Sequence, residues 1–218
     1  MFIAFDGIDG AGKSTQVEML SQALTRSGIG VVQTHLAAGL FRSYIDPINA
    51  DPRSVAPVMR ELLYYFAALH ANVTIVLPNA ESRAVITDRY YLSFLAYGQL
   101  NGMPREHIRF FTEPLVEPDY YFILDIPPEQ AFGRIIANRG QLGHAEIGFA
   151  QASQTPRDGR SIEAFVDCQT QVRAHYRAES KASHIWLDGS SSADQVHASV
   201  MGMLASALPD RCRTNGPR

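Results

Sequence analysis

Residues 7–14, Gly7-Ile8-Asp9-Gly10-Ala11-Gly12-Lys13-Ser14, satisfy the spacing G-x-x-x-x-G-K-[ST]. These residue types suit a polyphosphate. Gly7, Gly10 and Gly12 let the backbone wrap closely around a β-phosphate, and Lys13 has the length to reach the β- and γ-phosphates. The Ser14 hydroxyl is placed to ligate Mg²⁺. With Ala11 and Thr15 they form a turn in which backbone N–H groups and the positive end of the following helix converge on one point. The glycines run G-x-x-G-x-G, which does not fit the G-x-G-x-x-G of a dinucleotide site.

Asp88-Arg89-Tyr90 follows a short apolar run at residues 84–86. A carboxylate at the carboxyl end of a parallel strand faces the same crevice as the phosphate loop, so Asp88 is a second candidate for the metal. Arg89 then offers a fork of donors to that crevice. Arg134, Arg139, Arg157 and Arg160 bracket residues 141–159, a stretch with three glycines, a proline and no helical stripe. That stretch reads as a lid at about 140–160, whose arginines would screen the charge on a transferred phosphoryl group.

These groups need a frame. Runs at 2–5 and 84–87 read as buried strands, 120–124 as a third and 30–34 and 184–187 as weaker ones, five in all, alternating with helical patterns at 13–26, 54–77, 92–99, 104–112, 128–139, 162–180 and 193–208. Ser54 is a candidate N-cap, Pro104 and Pro128 suit a first helical turn, and Gly140 follows a helix end. The expectation is an α/β domain over residues 1–208, a five-stranded parallel sheet with helices on both faces, and a frayed tail at 209–218.

Composition sets limits on the partners. The chain has 218 residues, 46% hydrophobic and 19% charged, with a net charge of -3, so no basic field awaits a nucleic-acid polymer. Cys168 and Cys212 lack any metal-binding spacing. A charge at Asp6 follows the opening apolar run too soon for a secretory signal, and no stretch reads as a membrane span, which points to the cytoplasm.

Taken in order, these motifs resemble the thymidylate kinases, a group of P-loop nucleoside monophosphate kinases. The likeness begins with residues 2–15, with Asp6 where that family usually has Glu, and includes Leu62-Leu63-Tyr64-Tyr65-Phe66-Ala67-Ala68, Asp88-Arg89-Tyr90 and Ser93-Phe94-Leu95-Ala96-Tyr97. Pro118-Asp119, Leu124-Asp125-Ile126-Pro127-Pro128-Glu129, Arg139-Gly140 and Gln171-Val172-Arg173-Ala174-His175-Tyr176 continue it. The resemblance implies a P-loop NTPase-type three-layer fold with a mobile lid, a homodimer, and ATP-dependent phosphorylation of dTMP or a related pyrimidine deoxynucleotide.

It further implies that Phe66 stacks on the base and that Arg89 grips the acceptor's phosphate. Tyr97 would crowd the sugar's 2′ position, Asp9 would lie near the sugar or metal, and Ser93 would join the acceptor site. Arg134 would help bind ATP.

Departures fall on the acceptor side. Leu69-His70 replaces the family's Asp-Arg, whose arginine contacts the base, so His70 is the group expected at the base edge. His35-Leu36-Ala37-Ala38 replaces Arg-Glu-Pro-Gly, leaving Arg42 as the substitute cation, and Gly98 stands where a glutamine is common. Two other readings stay open: a kinase for a different small acceptor, and a nucleotide-binding regulatory protein without transfer. A GTPase lacks support, since no Asn-Lys-x-Asp segment is present.

Overall fold

All six residues of Phe2–Gly7 (β1) are buried, as a strand must be when helices cover both faces of its sheet. A computed structural model describes residues 1–35, 41–51, 53–143, 145–148 and 162–208. The other strands are Val31–His35 (β2), Ala84–Asp88 (β3), Tyr120–Asp125 (β4) and Ile185–Asp188 (β5). All five are parallel, in the order β2-β3-β1-β4-β5. Phe5 of β1 lies opposite Asp88 and Phe122, so the loop leaving β1 emerges between the carboxyl ends of β3 and β4. That is the crevice in which an open α/β sheet binds ligands.

The helices are Lys13–Arg26 (α1), Arg42–Ala50 (α2), Pro57–Ala71 (α3), Tyr91–Leu100 (α4), Arg105–Thr112 (α5), Pro128–Arg139 (α6), Ile162–Glu179 (α7) and Ala193–Leu204 (α8). They flank the sheet, α1 packing on β1, β2, β3 and α8, while α4 packs on α3, α5 and α7. Gly140 ends α6 in the left-handed region at φ 72, where a side chain would be strained. A capping box formed by Ser192 and Gln195 opens α8.

Three expectations need correction. Helix α2 was not foreseen, since it is polar and carries Pro47 within it. Ser54 does not cap α3: Ala56 does, with Pro57 in the first turn, and the Ser54 hydroxyl instead donates to the Asp51 carbonyl at 2.6 Å. Nor does one uniform helix run to Leu77, because α3 widens into a π-helical stretch, Asn72–Val76, before a last turn at Leu77–Asn79. Buried Asn72 joins this stretch to the core, its Oδ1 accepting from the Tyr90 hydroxyl at 2.9 Å and from Val116 N at 2.8 Å.

The tail at 209–218 and most of the expected lid lie outside the described residues. Of that segment, Leu142 and Ile147 are buried, with a short 3-10 turn at Ala145–Ile147.

Candidate active site

The chain leaves β1 through glycines whose backbone no other residue would adopt without strain: φ is 145° at Gly7, 80° at Gly10 and 97° at Gly12. Space demands glycine at two of them as well. A Cβ at Gly7 would lie 2.6 Å from the Leu124 carbonyl oxygen, and one at Gly10 2.6 Å from that of Ala131. Gly12 caps α1 with no side-chain hydrogen bond, so the first N–H groups of α1 are left for a ligand. Lys13 is buried in the loop and donates to the Ile8 carbonyl at 2.8 Å. Burial and the nearby Arg89 cation pull its pKa down to about 8, against the opposing pull of Asp9, Asp88 and Asp6.

The Ser14 hydroxyl donates to the Asp88 carboxylate at the end of β3. Two hard oxygen donors thus meet at the mouth of the loop, a set that suits Mg²⁺ sharing its remaining coordination with phosphates and water. Among the described residues no group of three or more His, Cys, Asp or Glu side chains could hold a metal by protein alone.

Arg89, next in the chain, is the one non-glycine among the described residues with positive φ, 69°. Such backbone costs about 1–3 kcal/mol and persists only where the surroundings impose it. Here Arg89 N donates to the Phe5 carbonyl at 2.8 Å, and Thr87 Oγ1 donates to the Arg89 carbonyl at 2.9 Å. Tyr90 N also donates to Asp6 at 3.2 Å. The guanidinium that results pairs with Asp9, donates to Ser93 Oγ at 2.9 Å and lies 5.3 Å from the centre of the Tyr97 ring.

Asp9 also accepts from the Tyr97 hydroxyl at 2.8 Å, and its N–H donates to Gln169 Oε1 at 3.1 Å. Burial works to raise the Asp9 pKa, but Arg89 and Lys13 outweigh it and hold the carboxyl below its usual range. Beneath this layer Asp6 accepts from Ser93, Tyr121 and Tyr176, and burial drives its pKa up.

Two cavities meet over this network. The larger, about 620 Å³, runs along residues 9–16 past Arg134, Arg139 and Asp88 to the Gly189–Val196 wall. The smaller, about 110 Å³, is lined by Asp9, His35, Arg60, Glu61, Tyr64, Arg89, Ser93, Phe94 and Tyr97. Asp9, His35 and Arg89 border both, and so mark the seam between them.

The sequence-derived candidates separate into groups. Asp9, Gly10, Ala11, Gly12, Lys13, Ser14, Thr15, Asp88, Arg89, Arg134 and Arg139 line the large cleft, while Ser93 and Tyr97 line the small pocket with Asp9 and Arg89. Gly7 shapes the loop without lining the cleft. Arg134 donates to the Gly189 carbonyl at 2.8 Å, and Arg139 pairs with Glu146 at the rim. Arg157 and Arg160 lie outside the described residues. The structure does not bring Phe66, His70 or Arg42 to either cavity. Phe66 is 47% exposed on the far side of α3, His70 packs on Phe41, and Arg42 pairs with Asp46.

Gly98 is a packing position, where a Cβ would come within 2.9 Å of Ile108 Cδ1. Sequence reading missed Arg60, Glu61, Tyr64 and Gln169, and noted His35 only as part of a departure. His35 lies opposite Asp88 in the β2–β3 register, and that placement follows from the strand position alone.

The sequence model of a family described as thymidylate kinase matches residues 5–200. The chain is 29% identical over 229 residues to a thymidylate kinase of Symbiobacterium thermophilum, covering 100% of this chain and 99% of the relative. It is 30% identical over 223 residues to one from Nitratidesulfovibrio vulgaris, covering 96% and 94%. A thymidylate kinase of Chromobacterium violaceum is 33% identical over 145 residues, 63% of this chain and 68% of the relative.

Proposed function

The chain belongs to the thymidylate kinase family, and on that premise we propose that it transfers the γ-phosphoryl group of ATP to dTMP, giving ADP and dTDP. One observation carries the assignment of the site. A large phosphate-binding cleft and a small pocket open onto each other at Asp9, His35 and Arg89, so a donor and an acceptor can lie end to end.

In this reading the loop amides and Lys13 hold the donor phosphates, Arg134 borders the far end of the donor cleft, and Arg89 fixes the acceptor phosphate. Asp9 and Tyr97 face the acceptor's sugar, with Ser93 supporting Arg89. Arg139, already at the rim, and Arg157 and Arg160 of the lid are the arginines that would screen the transferred group. Catalysis is alignment and electrostatics, with no covalent intermediate. Mg²⁺ would be held by Ser14 and Asp88 with Asp9 nearby, and would supply positive charge to offset that of the phosphates.

Self-association is part of the proposal. Met59, Phe66, Val73 and Leu77 are all exposed along one side of α3 and its continuation, an apolar stripe suited to a second copy of the chain. No helix among the described residues is long and apolar enough to cross a membrane, and we place the reaction in the cytoplasm, where ATP is plentiful.

The test is ADP release by the purified protein with ATP, Mg²⁺ and dTMP, with dTDP identified by chromatography. The expected result is dTMP-dependent release with stoichiometric dTDP. ADP release indifferent to dTMP, or ATP binding without turnover, would overturn the reading.

A further inference from the structure

The inner end of the small pocket holds two charged side chains from α3 that are almost fully buried, Arg60 at 6% exposure and Glu61 at 2%. Their side chains pair at 2.5 Å. Glu61 Oε1 also accepts from Asn101 Nδ2 at 2.9 Å, and Arg60 donates to Asn49 at 2.9 Å while lying 4.6 Å from the centre of the Tyr64 ring. Burying an ion pair costs more in lost hydration than the attraction alone returns, so such a pair is weak evidence of a stabilising role.

The bonding at Glu61 is lopsided. Oε1 takes both hydrogen bonds, whereas Oε2 receives none from any described residue, although Glu61 lines the pocket. A carboxylate oxygen left as a bare acceptor in a buried pocket is a place for a ligand's N–H donor.

We propose that Glu61 determines base specificity by accepting the ring N3–H of the acceptor's thymine at Oε2. The proposal rests on the phosphorylation of dTMP described above and assigns the atom that reads its base. Phosphate and sugar are already placed at the other end of the pocket, by Arg89 and by Asp9 with Tyr97, so the base is the part left to fill the α3 end. The imide N–H of thymine is a donor, which matches an acceptor-only carboxylate. The corresponding N3 of cytosine is an acceptor, which would face Oε2 lone pair to lone pair. Arg60 is the positioning residue: it holds Oε1, offsets part of the rise that burial causes in the Glu61 pKa, and is itself held by Asn49 of α2. This arrangement replaces the base contact expected from His70, which lies elsewhere.

Two measurements test it. The first needs no variant: wild-type protein is assayed with dTMP, dUMP, dCMP and N3-methyl-dTMP. Thymine and uracil should be used comparably, while dCMP and N3-methyl-dTMP should fall by roughly 10- to 100-fold in kcat/KM. The second uses Glu61→Gln, whose amide N–H₂ in place of Oε2 presents a donor to the base. It should lose dTMP activity mainly through KM and shift the dTMP:dCMP preference towards dCMP by at least about tenfold. Unchanged ATP affinity and melting temperature in Glu61→Gln establish that its fold is intact.

N3-methyl-dTMP used within about threefold of dTMP would overturn the proposal, as would a folded Glu61→Gln protein with an unchanged base preference. Should Glu61→Gln fail to fold, the wild-type panel decides alone. Failure of wild-type protein to phosphorylate dTMP at all would instead sink the underlying function, so the two failures are distinguishable.

Discussion

The donor cleft and the acceptor pocket are built from different materials. The phosphate end of the donor cleft is framed by backbone, with glycines at 10 and 12, the uncapped start of α1 and the wall near Gly189, and Lys13, Ser14, Asp88, Arg134 and Arg139 are among the side chains that line it. The acceptor pocket is almost all side chains, drawn from β2, α3 and α4 as well as from the loop. A polyphosphate is the same whatever the second substrate, so backbone donors in fixed geometry suffice for it. A nucleotide acceptor must be told from its relatives, and only side chains can be exchanged to do that. Of the departures from the family's motifs, His35 borders the pocket, while His70 packs on Phe41 and Gly98 on Ile108; the loop keeps its pattern.

The contrast can be broken by variants that hit one side alone. Lys13→Ala should have the largest effect, lowering kcat by roughly 100- to 1,000-fold with any acceptor, since it removes a cation that acts on the transferred charge. The dTMP KM should move little, and a shift of equal size in KM would show that the two sites are not separate. Arg89→Lys, at the seam, should cost roughly 10- to 100-fold in kcat/KM for dTMP, because a point charge cannot replace the bidentate fork. ATP affinity measured by calorimetry should stay within a few-fold. Loss of ATP binding in that variant would place Arg89 on the donor side.

The same contrast explains what the sequence made legible. The phosphate loop is contiguous and its glycines are demanded by φ and by contacts at 2.6 Å, so one stretch of chain carries the whole signal. Strand–helix alternation likewise placed the sheet. The pocket is assembled from elements far apart in sequence, and its key helix presents three aromatic residues in a row, Tyr64, Tyr65 and Phe66, pointing about 100° apart. Which one faces the pocket depends on how α3 is rotated.

Packing of Tyr65 against Phe94 and Phe111 settles that rotation, turning Tyr64 to the pocket and Phe66 outwards. Motif matching alone favoured Phe66, and the π-helical stretch at Asn72–Val76 breaks the uniform period that would have allowed a check. Helix α2, which holds Arg60 through Asn49, was hidden by its internal Pro47. Tyr64→Leu should therefore raise the dTMP KM about fivefold through lost ring contact, whereas Phe66→Ala should leave it within about twofold and instead weaken self-association. Equal effects on KM would erase the distinction between the two sides of α3.

The smallest expected effect lies in the framework behind the donor cleft. Asp125 ends β4, takes two hydrogen bonds from Arg173 at 2.5 and 2.9 Å and one from Arg177 at 2.6 Å, and its backbone carbonyl accepts from Gly189 N at 2.8 Å. The hydrogen bond from Arg173 is the main cause that holds its pKa below the reference value of 3.8. A depressed carboxyl stabilises the folded state at pH values above the unfolded pKa, and that contribution disappears as pH falls through the folded one. All three partners are partly exposed, so the worth of the cluster is only about 1 kcal/mol after solvent screening. Asp125→Asn should thus unfold at slightly lower urea concentration from pH 5 to 8, with the gap to wild type closing as the pH drops below about 4. Because Asp125 touches neither cavity, kcat and both KM values should stay near wild type. A changed KM for ATP alone would mean that the Gly189 wall moves with this cluster, and that the donor side depends on side chains more than its backbone construction implies.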